Sequence, residues 1–211
     1  MPEANLTVLD HPLVEANLAR LRDKRTGPGD FRDAMAAIAS LLTTEATRHI
    51  ATKPVEIDTP VSPATVQKLP GPVIAVPILR AGQGLLEGVL RIVPDVRVGH
   101  IGMARDETTL KPTIYMQKLP PLELAARPVL LLDPMLATGG SAIGAARLLR
   151  EAGATDIKLL CAVASPVGLR NMSAADPGME VYAAAVDERL DERGFILPGL
   201  GDAGDRLYGT D

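Results

Sequence analysis

Between residues 73 and 186 short apolar runs alternate with stretches of helical spacing, and this rhythm constrains the fold more than any other feature. Residues 73–79, 96–103, 129–132, 157–164 and 179–186 read as strands, while 84–92, 141–151 and 167–174 read as helices. Runs that are apolar throughout, rather than alternating, belong to strands covered on both faces. Strands separated by helices imply right-handed crossovers, hence an α/β fold with a parallel sheet flanked by helices. In such sheets ligands bind beyond the carboxyl ends of the strands. The loops that follow the apolar runs are therefore the places to look for chemistry.

Upstream of this region, residues 13–25 read as a helix with Leu13, Leu18 and Leu21 on one side, ended by Thr26-Gly27-Pro28-Gly29. Asp30 reads as the N-cap of a second helix in which Phe31, Met35, Ile38, Leu42 and Ala46 recur. Residues 55–58 alternate like a short strand, and 64–68 are its natural partner. No Ser-, Gly- or Pro-rich linker divides the chain, so 1–211 reads as one domain. Hydrophobic residues make up 46% and aromatics 2%, so the core is built from aliphatic side chains. With a net charge of −4 and no Trp, the chain is a poor match for a nucleic-acid binder working by phosphate neutralisation or base stacking. No apolar run approaches the roughly 18 residues of a membrane span. The start of the chain lacks a basic, then apolar, leader, and a soluble cytoplasmic protein is expected. The one cysteine, Cys161, sits in an apolar strand and reads as a core residue rather than a nucleophile. His11, His49 and His100 are scattered and suggest neither a metal cluster nor a catalytic triad. His11, just before Pro12, is expected to fix the chain entry.

Two glycine patterns are decoys. Gly199-x-Gly201-x-x-Gly204 has the dinucleotide-binding spacing, but the chain after it is too short for a crossover helix and second strand. Gly82-x-Gly84 follows a strand and opens a helix, yet Glu87 stands where the third glycine belongs. The specific motif is Val129-Leu-Leu-Leu-Asp133-Pro134-Met135-Leu136-Ala137-Thr138-Gly139-Gly140-Ser141. A buried strand ends in a carboxylate, and a loop of small residues runs into a helix. From Ala137 to Ser141 several backbone N–H groups can converge on one anion with the helix N-terminus behind them, and Thr138 and Ser141 add hydroxyl donors. That suits a phosphomonoester, with Asp133 placed to accept hydrogen bonds from sugar hydroxyls. The bland alternative is an ordinary strand-to-helix turn with Ser141 as cap. The order of acid, small residues, paired glycines and hydroxyl favours a ribose phosphate.

This segment resembles the ribose-phosphate loop of the type I phosphoribosyltransferases. Much of that family has two adjacent acids before the loop; here the second is Pro134, and the run is similar to the uracil phosphoribosyltransferase version. Other segments agree: His11-Pro12-Leu13-Val14, the pyrophosphate loop Val76-Pro77-Ile78-Leu79-Arg80-Ala81-Gly82, arm segments at 102–109 and Tyr115-Met116-Gln117-Lys118-Leu119-Pro120, and the tail Pro198-Gly199-Leu200-Gly201-Asp202-Ala203-Gly204-Asp205. Phe195 stands where tyrosine is expected.

The resemblance implies a small hood at about 187–211, a flexible β-arm at about 105–118, and transfer of a phosphoribosyl group from 5-phosphoribosyl 1-diphosphate to uracil. It implies that Asp133, Arg105 and Asp202 are catalytic. The phosphosugar would be bound by Arg80, Arg105, Asp133, Pro134, Met135, Leu136, Ala137, Thr138, Gly139, Gly140, Ser141 and Asp202. Uracil would meet Ile196, Gly201, Asp202 and Ala203, read through the main chain. Mg²⁺ would arrive on the diphosphate, with Asp202 reaching it through water. A non-proline cis peptide is expected at Leu79–Arg80 or Arg80–Ala81. A homodimer or larger assembly and activation by GTP rest on the resemblance alone. Two competing readings are a phosphoribosyltransferase for a purine or orotate, which Pro134 disfavours, and an RNA-controlling module that binds UMP, which the composition disfavours.

Overall fold

The computed structural model describes residues 5–105, 112–120 and 124–210, with the backbone alone at 104, 105 and 112. In chain order the strands are β1 (Asn5–Val8), β2 (Lys53–Asp58), β3 (Pro63–Lys68), β4 (Ile74–Leu79), β5 (Arg97–Val98), β6 (His100–Arg105), β7 (Pro112–Lys118), β8 (Pro128–Leu132), β9 (Met135–Leu136), β10 (Asp156–Ala164), β11 (Glu180–Val186), β12 (Arg189–Leu190) and β13 (Ile196–Leu197). The helices are α1 (Pro12–Arg22), α2 (Pro28–Ala46), α3 (Gln83–Ile92), α4 (Gly140–Glu151), α5 (Pro166–Ala175) and α6 (Ala203–Tyr208).

Nine strands form the main sheet, in the order β1-β11-β10-β8-β4-β6-β7, with β5 beside β4 and β9 beside β10. All its pairings are parallel except β6 with β7. The alternation of side chains along a strand divides the core in two. On β8, Leu130 and Leu132 face a layer built on α1, α2, α3 and α6. Val129 and Leu131 face the opposite layer, which holds α4 and α5. Each of these four side chains is fully buried, and full burial of such a side chain is worth about 1.5–3 kcal/mol. The apolar run that marked the sheet in the sequence is thus its central strand, covered on both sides.

The expected β2–β3 hairpin is present as a separate antiparallel pair. Two local expectations are corrected. α1 buries Val14, Leu18 and Leu21, while Leu13 is exposed; spacing of four and three residues selects Val14 for that face. α2 begins at Pro28 with Gly27 as its N-cap, so Asp30 lies in the first turn instead of capping. Proline at the first helical position starts a helix as readily as it ends one. The tail, expected to form part of the hood, contains the short helix α6, capped by Asp202. β1, an edge strand, carried no signal that was read. His11 does fix the chain entry: its Nδ1 accepts from the Leu13 N–H at 3.1 Å and caps α1.

Candidate active site

β8 delivers Asp133 to the carboxyl end of the sheet, beside β10, whose Leu160 carbonyl accepts from the Asp133 N–H. The chain then passes through β9 into Ala137, Thr138 and Gly139, where Gly139 takes φ 84 and α4 begins. A left-handed residue at this point lets the chain turn sharply into the helix without a Cβ clash. The N–H groups of Gly140, Ser141 and Ala142 belong to the first turn of α4, where no intrahelical acceptor exists. The loop carbonyls are turned the other way and tied down. Ser165 Oγ donates to Ala137 O at 2.6 Å, and Asn171 Nδ2 donates to Thr138 O at 2.9 Å. Ser165 also caps α5 by accepting from the Gly168 N–H. The Ala137 N–H is spent on Met135 O at 3.0 Å, which leaves the N–H groups at the start of α4 as the ones an anion could use.

Asp133 is only partly exposed, and loss of hydration pushes its carboxyl up to about 6, with the Met135 N–H at 3.5 Å a smaller opposing influence. Cys161 is buried in the neighbouring strand, and burial pushes its thiol well above the usual range, which makes it inert as a nucleophile.

The Leu79–Arg80 peptide is cis, one of the two bonds at which that geometry was expected. Arg80 follows β4, and its Nη2 lies 3.1 Å from Asp205 Oδ1. The guanidinium also stands 5.9 Å from the centroid of the Tyr208 ring, whose hydroxyl donates to Arg80 O. α6 therefore sits directly on the Arg80 turn.

At the hood, β12 and β13 pair antiparallel, and Asp191 Oδ1 accepts from the Arg193 and Phe195 N–H groups across the connecting turn. Asp202 is exposed, and its Oδ1 accepts from the Asp205 N–H at 2.9 Å, the N-cap bond of α6. A cavity of about 370 Å³ is lined by Met135, Ala137, Arg193, Gly194, Phe195, Ile196, Gly201, Asp202 and Ala203. It joins Met135 and Ala137 of the expected phosphate loop to every residue expected at the base site. Arg193 and Gly194 were missed; Arg193 stacks on Phe195 with its guanidinium carbon 5.4 Å from the ring centroid, a contact that sequence spacing does not announce. Arg80 is not among the lining residues and stands beside Asp205 instead. The backbone of Arg105 ends β6, but its side chain, and residues 106–111 of the expected arm, lie outside the described residues. Among the described residues no group of three or more His, Cys, Asp or Glu is placed to hold a metal ion, and no helix is long and apolar enough to cross a membrane.

The sheet order and the strand–loop–helix at Asp133 define the type I phosphoribosyltransferase fold. A hypoxanthine-guanine phosphoribosyltransferase from Bacillus anthracis shares the fold at TM-score 0.51, with 11% identity over 74% of this chain and 78% of that one. The family model for uracil phosphoribosyltransferase matches residues 8–210, and the chain belongs to that family. A uracil phosphoribosyltransferase from Thermus thermophilus is 52% identical over 206 residues, 97% of this chain and 99% of the relative. The structure of the AQ2163 protein from Aquifex aeolicus superposes with TM-score 0.93 at 37% identity, covering 98% of this chain and 99% of that one. Membership makes the chain a pentosyltransferase.

Proposed function

We propose that the chain, acting as one domain, transfers the 5-phosphoribosyl group of 5-phosphoribosyl 1-diphosphate to N1 of uracil, giving UMP and diphosphate for pyrimidine salvage. The observation that carries this is the cavity in which Met135 and Ala137 of the phosphate loop face Ile196, Gly201, Asp202 and Ala203 of the hood. The bond from C1 of the ribose to diphosphate breaks, N1 of uracil bonds to C1, and the N1 proton is lost. Positive charge develops on the ribose and negative charge on the leaving group, so placement and electrostatics dominate. The N–H groups at the start of α4, with the hydroxyls of Thr138 and Ser141, hold the 5-phosphate. Asp133 accepts hydrogen bonds from the ribose hydroxyls, and its carboxylate opposes the growing positive charge.

Arg80 and Arg105 are the proposed clamps on diphosphate, since a guanidinium binds phosphate oxygens as a fork. The pair between Arg80 and Asp205 is partly exposed, and such pairs are worth at most about 1 kcal/mol. It orients Arg80 without outcompeting a doubly charged ligand. Mg²⁺ would arrive on the diphosphate, with Asp202 reaching it through water, and would neutralise leaving-group charge. Uracil offers acceptors at O2 and O4 and a donor at N3, matched by the Ile196 carbonyl and N–H groups near Gly201 and Ala203. Cytosine reverses the pattern, and a site built on such matching discriminates by about 10⁴. A cytoplasmic location, a homodimer or larger assembly and activation by GTP accompany this reading; sedimentation and assays with the nucleotide decide the last two.

The test is pyrophosphate release from the phosphosugar with uracil, cytosine, orotate and guanine in turn. Release with uracil alone is expected. Equal use of cytosine overturns the base assignment, and release with orotate or guanine alone overturns the function.

A further inference from the structure

Arg22 lies outside every segment that marked the site, Asp187 stands at the edge of the hood, and neither is among the residues lining its cavity. Arg22 ends α1, and Asp187 directly follows β11 with only 6% of its surface exposed. The guanidinium grips the carboxylate as a fork, Nη1 to Oδ2 and Nη2 to Oδ1, both at 2.8 Å. The pair then closes on the backbone of one hood residue. Arg22 Nη1 donates to Gly199 O at 2.9 Å, and the Gly199 N–H donates to Asp187 Oδ2 at 2.8 Å. Both main-chain polar groups of Gly199 are thus held by one ion pair. Gly199 has φ 61, and a Cβ there would run into the Ile196 carbonyl oxygen, so the backbone at 199 packs tightly against the carbonyl assigned to uracil.

We propose that the Arg22–Asp187 pair is the positioning device of the base site, holding the main chain from Ile196 to Ala203 in the register that reads uracil. The inference rests on the base assignment made above. A site that discriminates through side chains can tolerate some backbone drift, but one that discriminates through carbonyl and N–H groups needs the backbone held within about 0.5 Å. Apolar packing is non-directional and does not set such a register, whereas a bidentate charged pair does. Buried ion pairs are also poor sources of net stability, which leaves orientation as what this one contributes. Burial pushes the Asp187 carboxyl up, but the Arg22 guanidinium and the Gly199 N–H outweigh it and hold it below its ordinary range. The pair stays ionised across the working pH range.

The experiment uses the full-length enzyme and three variants, Arg22→Lys, Asp187→Asn and Gly201→Ala, each assayed where its thermal melt shows it folded. Lysine keeps the charge of Arg22 but cannot form the fork. For Arg22→Lys and Asp187→Asn the KM for uracil is expected to rise roughly tenfold, the scale of one lost charge-assisted hydrogen bond. The preference for uracil over cytosine is expected to fall by a similar factor, with the KM for the phosphosugar unchanged. Gly201→Ala probes the base site independently. If it impairs uracil use while Arg22→Lys and Asp187→Asn do not, the positioning role is overturned and the base site stands. If all three leave uracil kinetics unchanged, the base assignment falls as well. An equal loss toward both substrates in the pair variants also overturns the proposal, because it marks a general structural role.

Discussion

The proposed phosphate loop at 133–141 and the proposed base loop at 196–203 meet in one cavity, yet they are held there by different means. The proposed phosphate loop is anchored by the elements it joins, β8 before it and α4 after it, and by α5 through its cap Ser165 and through Asn171, 28 and 33 positions from their partners. The base loop is anchored by the far end of the chain. Arg22 reaches Asp187 and Gly199, and Arg206 donates to Leu21 O, to Leu200 O at 2.9 Å and to Asp23 O at 2.7 Å while lying 4.3 Å from the Phe31 ring centroid. A loop held by neighbours in sequence can be recognised from its own residues. One held across the whole chain cannot.

The sharpest way to break this comparison is to remove the remote half. Deleting residues 201–211 takes away α6, including Leu207, which is buried against the α2–α3 layer. UMP formation is expected to be abolished, while circular dichroism still reports the folded sheet; normal turnover by the truncated chain would show that the base is read elsewhere.

Asp133→Asn attacks the local half. Turnover should drop by roughly 10²-fold, the scale of losing one preorganised electrostatic contact, with little loss of folding stability. The sign follows from the carboxyl lying at about 6 rather than 3.8. The folded state holds this proton more tightly than the unfolded chain, so the group's contribution to stability falls as pH rises from about 4 to about 6 and is constant above. Activity is expected to run the other way, because the proposed mechanism uses the ionised form against the ribose. An acid limb near pH 6 in kcat/KM is expected for the enzyme and should vanish in the residual activity of Asp133→Asn. A pH profile flat through that region would remove Asp133 from the reaction.

Arg206→Ala sharpens the contrast further. It strips the donor from three carbonyls, and an unsatisfied buried group costs about 1–3 kcal/mol. Melting temperature should fall and the KM for uracil should rise, with the KM for the phosphosugar steady. Parallel changes in both constants would mean that the hood is not an independently held unit. The smallest effect is expected from Asn171→Ala, which frees Thr138 O. A single hydrogen bond of about 1 kcal/mol corresponds to roughly a fivefold rise in the KM for the phosphosugar, without change in the preference for uracil over cytosine.

These two regions also mark how far the sequence could be read. Asp133, the small residues and Gly139-Gly140 announce their own loop, because strand, turn and helix signals all lie within one short stretch. The tail announced itself only by resemblance. Its helix α6 is short and has Gly204 in its first turn, and glycine is among the poorest helix formers. What stabilises it is Leu207 buried beneath it and Arg206 bonded to Leu21 O and Asp23 O at the α1 terminus, both tertiary facts. Arg193 was passed over for a similar reason: an exposed arginine in a turn resembles any surface arginine until the fold sets it against Phe195 at the cavity wall.

Hydrophobic periodicity by itself determined the layers, because burial on two faces or one is written residue by residue along each element. The strand–loop–helix at 133–141 was legible too, because its carboxylate, hydroxyls and glycines lie within one short stretch. Only the tertiary structure decided that Arg22, Asp187 and Gly199 share one set of hydrogen bonds. Directional contacts between residues some 165 and 177 positions apart leave no pattern in the chain, since their geometry exists only after the sheet has brought α1 and the hood to the same place.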